Sequence, residues 1–177
     1  NVVVSDISFD EGLYANVPLK WDVVDDVKHY EIYRHLESGE KEFVGAIPNN
    51  VYYIHQLRRD QKESETTLEV VSVNHQLERS TSGELVTFEW PAYPTPKADF
   101  SVSKSIAAPG EEIQFYNNSS EVTEEVEWQF EGATPSTSTE QNPVVTYAEE
   151  GIYSVKLIAK NSEAEDVLLR EGFITIS

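Results

Sequence analysis

Hydrophobic and polar residues alternate along Val126-Glu-Trp128-Gln-Phe130-Glu-Gly132, so Trp128 and Phe130 share one face of a predicted strand. The same period of two recurs in Gly151-Ile-Tyr153-Ser-Val155-Lys-Leu157, where Tyr153, Val155 and Leu157 share a face. A cluster of Gly, Thr, Pro and Ser, then Gln141-Asn-Pro143, separates the two and reads as turns. The pattern predicts antiparallel strands whose aromatic side chains form a core.

The first half repeats the pattern in shorter steps. Strands are expected over 2–9, 17–22, 29–36, 41–47, 51–57, 67–74 and 84–90. Tyr30 and Ile32 then point inward and Tyr33 outward, and Leu19 and Trp21 alternate with Lys20. No apolar run at helical spacing exceeds two turns in either half. The predicted class is all-β: two immunoglobulin-like antiparallel β-sandwiches in tandem. Three prolines in Pro91-Ala-Tyr-Pro94-Thr-Pro96 remove ladder donors and favour a stiff, extended connector. The expected division is residues 1–92, a linker at 93–97, and residues 98–177. Nine aromatics fall inward by alternation and form the expected core: Trp21, Tyr30, Tyr52, Phe88, Phe100, Phe115, Trp128, Phe130 and Tyr153.

Charge changes the picture of partners. Residues 1–94 carry 8 Lys and Arg against 17 Asp and Glu, and residues 95–177 carry 5 against 15, so nets of −9 and −10 make up the −19 of the chain. A uniformly acidic surface repels phosphates, which disfavours nucleic acid and anionic lipid. Cysteine and methionine are absent. No apolar run approaches the length of a membrane helix, so no membrane insertion is expected. The opening Val2-Val-Val4 reads as a strand, and the expectation is a fragment of a longer precursor.

Candidate chemistry is sparse. His29, His35, His55 and His75 show no close pairing with one another or with carboxylates of the kind zinc requires, and scattered surface histidines are the plainer account. Asp22 with Asp25 and Asp26, Glu124 with Glu125 and Glu127, and Glu163 with Glu165 and Asp166 lack the glycine-shaped loop of a calcium site and read as solvated faces. No metal and no cofactor are expected. The acidic residues are placed in loops or on outward strand faces, with no cleft for paired carboxylates, and no catalytic residue is identified. Tyr14, Tyr33, Tyr53, Tyr93 and Tyr116 fall outside the core set. An exposed ring can stack on the apolar face of a sugar while Asn or Glu side chains fix its hydroxyls. The candidate carbohydrate-binding residues are therefore Tyr116, Asn117, Asn118, Tyr33 and Tyr53. The alternative is that these tyrosines merely cap strand ends. Asn117 and Asn118 also begin glycosylation sequons.

Several stretches resemble known families. Leu19-Lys-Trp21-Asp, Tyr30-Glu-Ile32-Tyr, Tyr52-Tyr-Ile54-His-Gln-Leu57 and Leu68-Glu-Val70-Val-Ser72-Val73-Asn74 resemble successive strands of a fibronectin type III domain. Thr66 stands where that family often carries a tyrosine, and the loop from Leu57 to Thr66 is unusually long and charged. Ala98-Asp-Phe100-Ser-Val102, Ala108-Pro-Gly-Glu-Glu-Ile113-Gln-Phe115, Trp128-Gln-Phe130-Glu-Gly132 and Tyr147-Ala-Glu-Glu-Gly151-Ile-Tyr153 resemble a polycystic kidney disease (PKD) domain. Glu131 departs from the commoner glycine of that motif, and its aspartate is missing. Val17-Pro-Leu-Lys-Trp21, His29-Tyr-Glu-Ile-Tyr-Arg34 and Glu42-Phe-Val-Gly-Ala46 also resemble the module that follows the barrel in family 85 glycoside hydrolases, the endo-β-N-acetylglucosaminidases. The resemblance implies a non-catalytic accessory region of a secreted or surface bacterial enzyme acting on N-glycans. It implies a catalytic domain of the same polypeptide as partner, with glycans or cell-surface components as further ones. Adhesion or docking through an exposed strand edge is the remaining alternative.

Overall fold

The computed structural model describes all 177 residues, every regular element of which is a strand. The chain divides into two compact units, Asn1–Pro94 and Thr95–Ser177.

The first unit comprises β1 (Val2–Val4), β2 (Ser8–Asp10), β3 (Tyr14–Trp21), β4 (Val27–His35), β5 (Lys41–Ile47), β6 (Val51–Arg58), β7 (Glu65–Asn74) and β8 (Glu84–Glu89). The expected strand over 2–9 is two strands. Asp6, at φ 49°, interrupts it. Both pieces still pair antiparallel with β3, at Val2↔Trp21 and Ser8↔Asn16. Because β6 pairs β3 along its length, β1 and β2 follow one another along the opposite edge. The second sheet runs β5-β4-β7-β8. Between the sheets lie Val17, Leu19, Trp21, Tyr30, Ile32, Leu68, Phe88 and Trp90. Trp21 meets Tyr30 edge-on at 5.2 Å. Tyr52 is only half-buried and packs against this core. At one end of the sandwich Trp21 also lines a small cavity of about 170 Å³.

The second unit comprises β9 (Phe100–Val102), β10 (Ile106–Ala107), β11 (Glu112–Asn117), β12 (Glu125–Phe130), β13 (Ala133–Thr134), β14 (Thr137–Ser138), β15 (Val144–Tyr147), β16 (Gly151–Lys160) and β17 (Glu165–Ile176). One sheet runs β10-β17-β16-β12-β14 and the other β13-β15-β11-β9. The chain leaves β9, antiparallel to β11, and crosses to the other sheet as β10, parallel to β17, so one short segment ties both layers. The alternation on β12 and β16 is realised as Trp128↔Leu157 and Phe130↔Val155. Trp128 and Phe130 stack at 5.6 Å, and Phe100 and Phe115 meet Trp128 edge-on. The Trp128 ring nitrogen donates to the Glu140 carbonyl at 2.9 Å, which lets a polar atom sit in the core. Tyr153, expected inside, is half-buried because β16 bulges between Tyr153 and Val155. Its ring lies against Tyr147 at 4.6 Å and over Gly132. Gly132 sits at φ 75°, and a Cβ there would meet the Tyr153 ring at 2.4 Å, so the glycine closing the Trp-Gln-Phe-Glu-Gly motif has two reasons to be one.

Candidate functional site

The chemistry-bearing side chains gather on the first unit, where the sheets' outer edges meet. On β4 the inward Tyr30 and Ile32 leave Glu31, Tyr33 and His35 on the outer face, and on β7 Leu68 and Val70 leave Glu69 there. Register aligns Tyr33 with Phe43 on one side and Glu69 on the other. Tyr33 and Phe43 form an edge-to-face pair at 5.6 Å.

The carboxylates of this face, Glu31 and Glu69, are buried, although they belong to none of the acidic clusters singled out in the sequence. Glu31 is 7% exposed. Arg79 grips it with Nε at 2.6 Å and Nη2 at 3.0 Å, and the Tyr33 hydroxyl donates to it at 2.6 Å. The Arg79 hydrogen bonds outweigh burial and hold its pKa at about 2. The same bond to Glu31 retains the Tyr33 proton and raises that phenol. Glu69 accepts from Lys41 at 2.6 Å, His35 at 2.8 Å and the Gly83 amide at 3.2 Å. Burial alone would raise Glu69; the Lys41 and His35 hydrogen bonds reverse the direction and lower it. His29 lies 3.5 Å from Glu31 and His75 lies 3.4 Å from Asp26. Histidine–carboxylate pairs therefore form, which the sequence reading did not foresee. They join residues far apart along the chain or on one strand face, and none grows into a cluster of three or more metal-ligating side chains.

Beyond Phe43 the face turns into a groove of about 470 Å³ between the edge strands β5 and β6. Phe43 lines it from β5, and Tyr53 and His55, ring to ring at 4.3 Å, line it from β6. Gly45 keeps the neighbouring core closed, since a Cβ there would meet the Tyr52 hydroxyl at 2.3 Å. The buried Arg34 contributes to the lining. Its Nη1 donates to the Arg58 carbonyl at 2.8 Å, its Nη2 to Glu63, and Glu42 stands 3.7 Å away.

Arg34 leads into a buried polar corner built by the long charged loop. Glu63 accepts from Thr66 at 2.5 Å, from the Trp90 ring at 3.1 Å and from the Asp60 amide at 3.2 Å. Thr66, standing where a fibronectin-type corner often has tyrosine, accepts from Trp90 at 2.7 Å. Arg59 donates to the carbonyls of Glu63, Gly12 and Pro91 and lies over Trp90 and Tyr93. The unusually long and charged loop thus supplies the buried ions Arg59 and Glu63.

The other candidate residues sit on the second unit. Tyr116, on β11, is 43% exposed. Asn117 is engaged by its own turn: its amide donates to Gln141 at 2.6 Å and its carbonyl oxygen accepts the Ser119 amide at 3.0 Å. Asn118 donates to Ser101 at 3.0 Å. The structure therefore pairs Tyr33 with Phe43 and Tyr53 with His55 on the first unit, while Tyr116 belongs to the second unit, beside amides bonded to protein partners. Sequence reasoning missed Phe43, Glu31 and Glu69. The only signal for Phe43 was an aromatic next to the charged pair Lys41 and Glu42 at the start of its strand.

The class defined by this geometry is a pair of filled antiparallel sandwiches of the immunoglobulin-like type. Residues 1–92 match the family of GH85 endohexosaminidase C-terminal domains, and the chain belongs to that family; a PKD domain matches residues 93–167. Among solved structures, a two-domain fibronectin type III segment of chicken tenascin is 14% identical, covering 97% of each chain with a TM-score of 0.47. The amphioxus IgVJ-C2 molecule is 14% identical over 90% of this chain and 96% of that one, at 0.39. A calcium-stabilised ice-binding adhesin of an Antarctic bacterium is 11% identical over all of this chain and 49% of its own, at 0.40. Among curated proteins nothing matches.

Proposed function

We propose that this chain is the non-catalytic accessory region of a secreted bacterial glycoside hydrolase and that it orients the catalytic domain of the same polypeptide toward the N-glycans of glycoproteins. The observation that carries this reading is the GH85 endohexosaminidase C-terminal domain over residues 1–92, directly followed by a PKD domain. A sandwich whose interior is filled by side chains holds a neighbour in place without turning over substrate. The proline-rich connector serves the same end. Tyr93 is held under Arg59 and Lys62, and the Lys97 amide donates to Ser120, which leaves few free residues between. In the parent enzyme, replacing Pro91, Pro94 and Pro96 by glycine or serine should lower turnover of a folded glycoprotein and spare a free glycan. Equal loss on both substrates would overturn the orienting role, and glycan turnover by the 177-residue chain alone would overturn the non-catalytic one.

A second reading, saccharide contact through outward tyrosines, is favoured by one observation: Tyr33 packs edge-on against the exposed Phe43.

A further inference from the structure

We propose that one end of the first sandwich, formed by residues 22–26 and 75–83, is a docking surface for a basic polypeptide segment that presents a single apolar side chain. Three aliphatic residues stand out there: Val23 is 72%, Val24 51% and Leu77 60% exposed. The two loops leave the sheet side by side, because Val27 and Asn74 are cross-strand partners at their roots. His75 bridges them, its Nδ1 3.4 Å from an Asp26 oxygen. Apolar side chains gathered on adjoining loops are what a contact surface offers, whereas single exposed ones need no explanation.

Both loops are set before a partner arrives, so little ordering is lost on binding. The Asn74 side-chain oxygen accepts from the Gln76 amide at 3.0 Å and the Glu78 amide at 2.9 Å, and its Nδ2 donates to the Glu78 carboxylate at 2.9 Å. The Leu77 amide donates to the Asn74 carbonyl at 3.1 Å. This turn holds Leu77 at φ 67°, a left-handed conformation that glycine adopts freely and leucine only at a cost. On the other loop the Val24 amide donates to the Tyr30 hydroxyl at 2.9 Å. Val24 borders the cavity of about 170 Å³ that Trp21, Tyr30 and Val70 also line, a socket of one side chain's size.

Charge specifies the partner. Residues 22–26 read Asp-Val-Val-Asp-Asp, three carboxylates without a cation. The second loop adds Glu78, Glu84 lines the cavity, and the loop's only arginine, Arg79, is turned onto Glu31. The Asn1 ammonium lies 2.9 Å from Asp22 and 3.9 Å from Glu84, so a cation reaches both carboxylates. Aliphatic groups ringed by carboxylates fit a segment in which lysine or arginine flanks the apolar residue. A second copy of the chain is disfavoured by the net charge of −19, as are nucleic acid and anionic lipid. Valine and leucine offer no ring on which a sugar could stack.

The test is a titration of the isotopically labelled 177-residue chain, acetylated at Asn1 so that its ammonium does not compete, with the peptide acetyl-Lys-Arg-Leu-Lys-Arg-amide at about 0.15 M salt. The same peptide with glycine for leucine, and one with glutamate for every basic residue, are the comparison ligands. Saturable amide shifts confined to residues 22–26 and 75–84 are expected with the leucine peptide. Binding should be about tenfold weaker with the glycine peptide and absent with the acidic one. Leu77→Gly should weaken binding about fivefold and leave the melting temperature unchanged or higher, because glycine suits the left-handed backbone; a merely structural Leu77 would not separate the two. Val23→Ser should weaken binding similarly, and Val144→Ser, on the second unit, should leave it unchanged. Equal affinity for the leucine and glycine peptides, shifts indifferent to both loop variants, or no saturable shift up to about 5 mM peptide would overturn the docking surface. Shifts that follow protein concentration instead of peptide would do the same. None of these outcomes bears on the connector experiment, which reads turnover by the parent enzyme.

Discussion

The two sandwiches solve the same packing problem with opposite chemistry. In the second unit the core is an aromatic cluster around Trp128, and no charged side chain is buried. In the first unit Glu31, Arg34, Arg59, Glu63 and Glu69 are all buried. Ions taken out of water are costly unless paired and hydrogen-bonded, so they do not by themselves make the first unit the more stable. What they do is fix side chains: Arg34 stands where it holds Glu42 beside the groove, and Glu31 anchors the Tyr33 that buttresses Phe43. The difference teaches that the buried ion pairs lie in the first sandwich, while the interior of the second is apolar and aromatic.

That contrast can be broken from either side. The largest effect is expected from Trp128→Ala, which empties the centre of the second core and should cost about 5 kcal/mol; calorimetry should show that unit melting early while the first unit's signal persists. Glu63→Ala leaves Arg34 buried without its counter-charge and strips the Trp90 and Thr66 bonds, for a loss of about 3 kcal/mol. Replacing Arg34 and Glu63 together by leucine should recover much of that loss, and a double-mutant cycle in denaturant measures the coupling.

Acid sharpens the comparison further. The Glu31 pKa falls from 4.5 to about 2 on folding, so its contribution is complete above pH 4.5 and disappears as pH drops from there to about 2. After discounting for the largely exposed Arg79, the amount is about 2 kcal/mol. Melting of Glu31→Gln against wild type should show a shallower acid limb in that window. The smallest effect belongs to Glu127→Gln on the second unit. Its partner Lys160 lies at 3.1 Å with both groups solvated, and no change in melting beyond experimental scatter is expected.

Much of this architecture was legible from alternation. Trp21, Phe88, Phe100, Phe115, Trp128 and Phe130 are buried as the period of two required, and Tyr33 faces outward. The misses have local causes. Tyr153 is displaced by the bulge in β16. Phe43 was assigned to neither face from sequence; β5 carries an extra residue opposite β4, so strict alternation does not run through it. Glu31 and Glu69 lie on the outward face that alternation assigned them, yet they are covered by Arg79, 48 residues on, and by Lys41 and His35 from neighbouring strands.

By itself the sequence determined the strands, the faces they bury and the presence of two sandwiches, because side-chain alternation follows from the geometry of one extended backbone. Tertiary structure alone decided which charges neutralise one another, that the charged loop turns Glu63 inward onto Arg34, Thr66 and Trp90, and that Phe43 packs edge-on against Tyr33. Those outcomes depend on strand register and on bulges of a single residue, and they join positions that no local pattern connects.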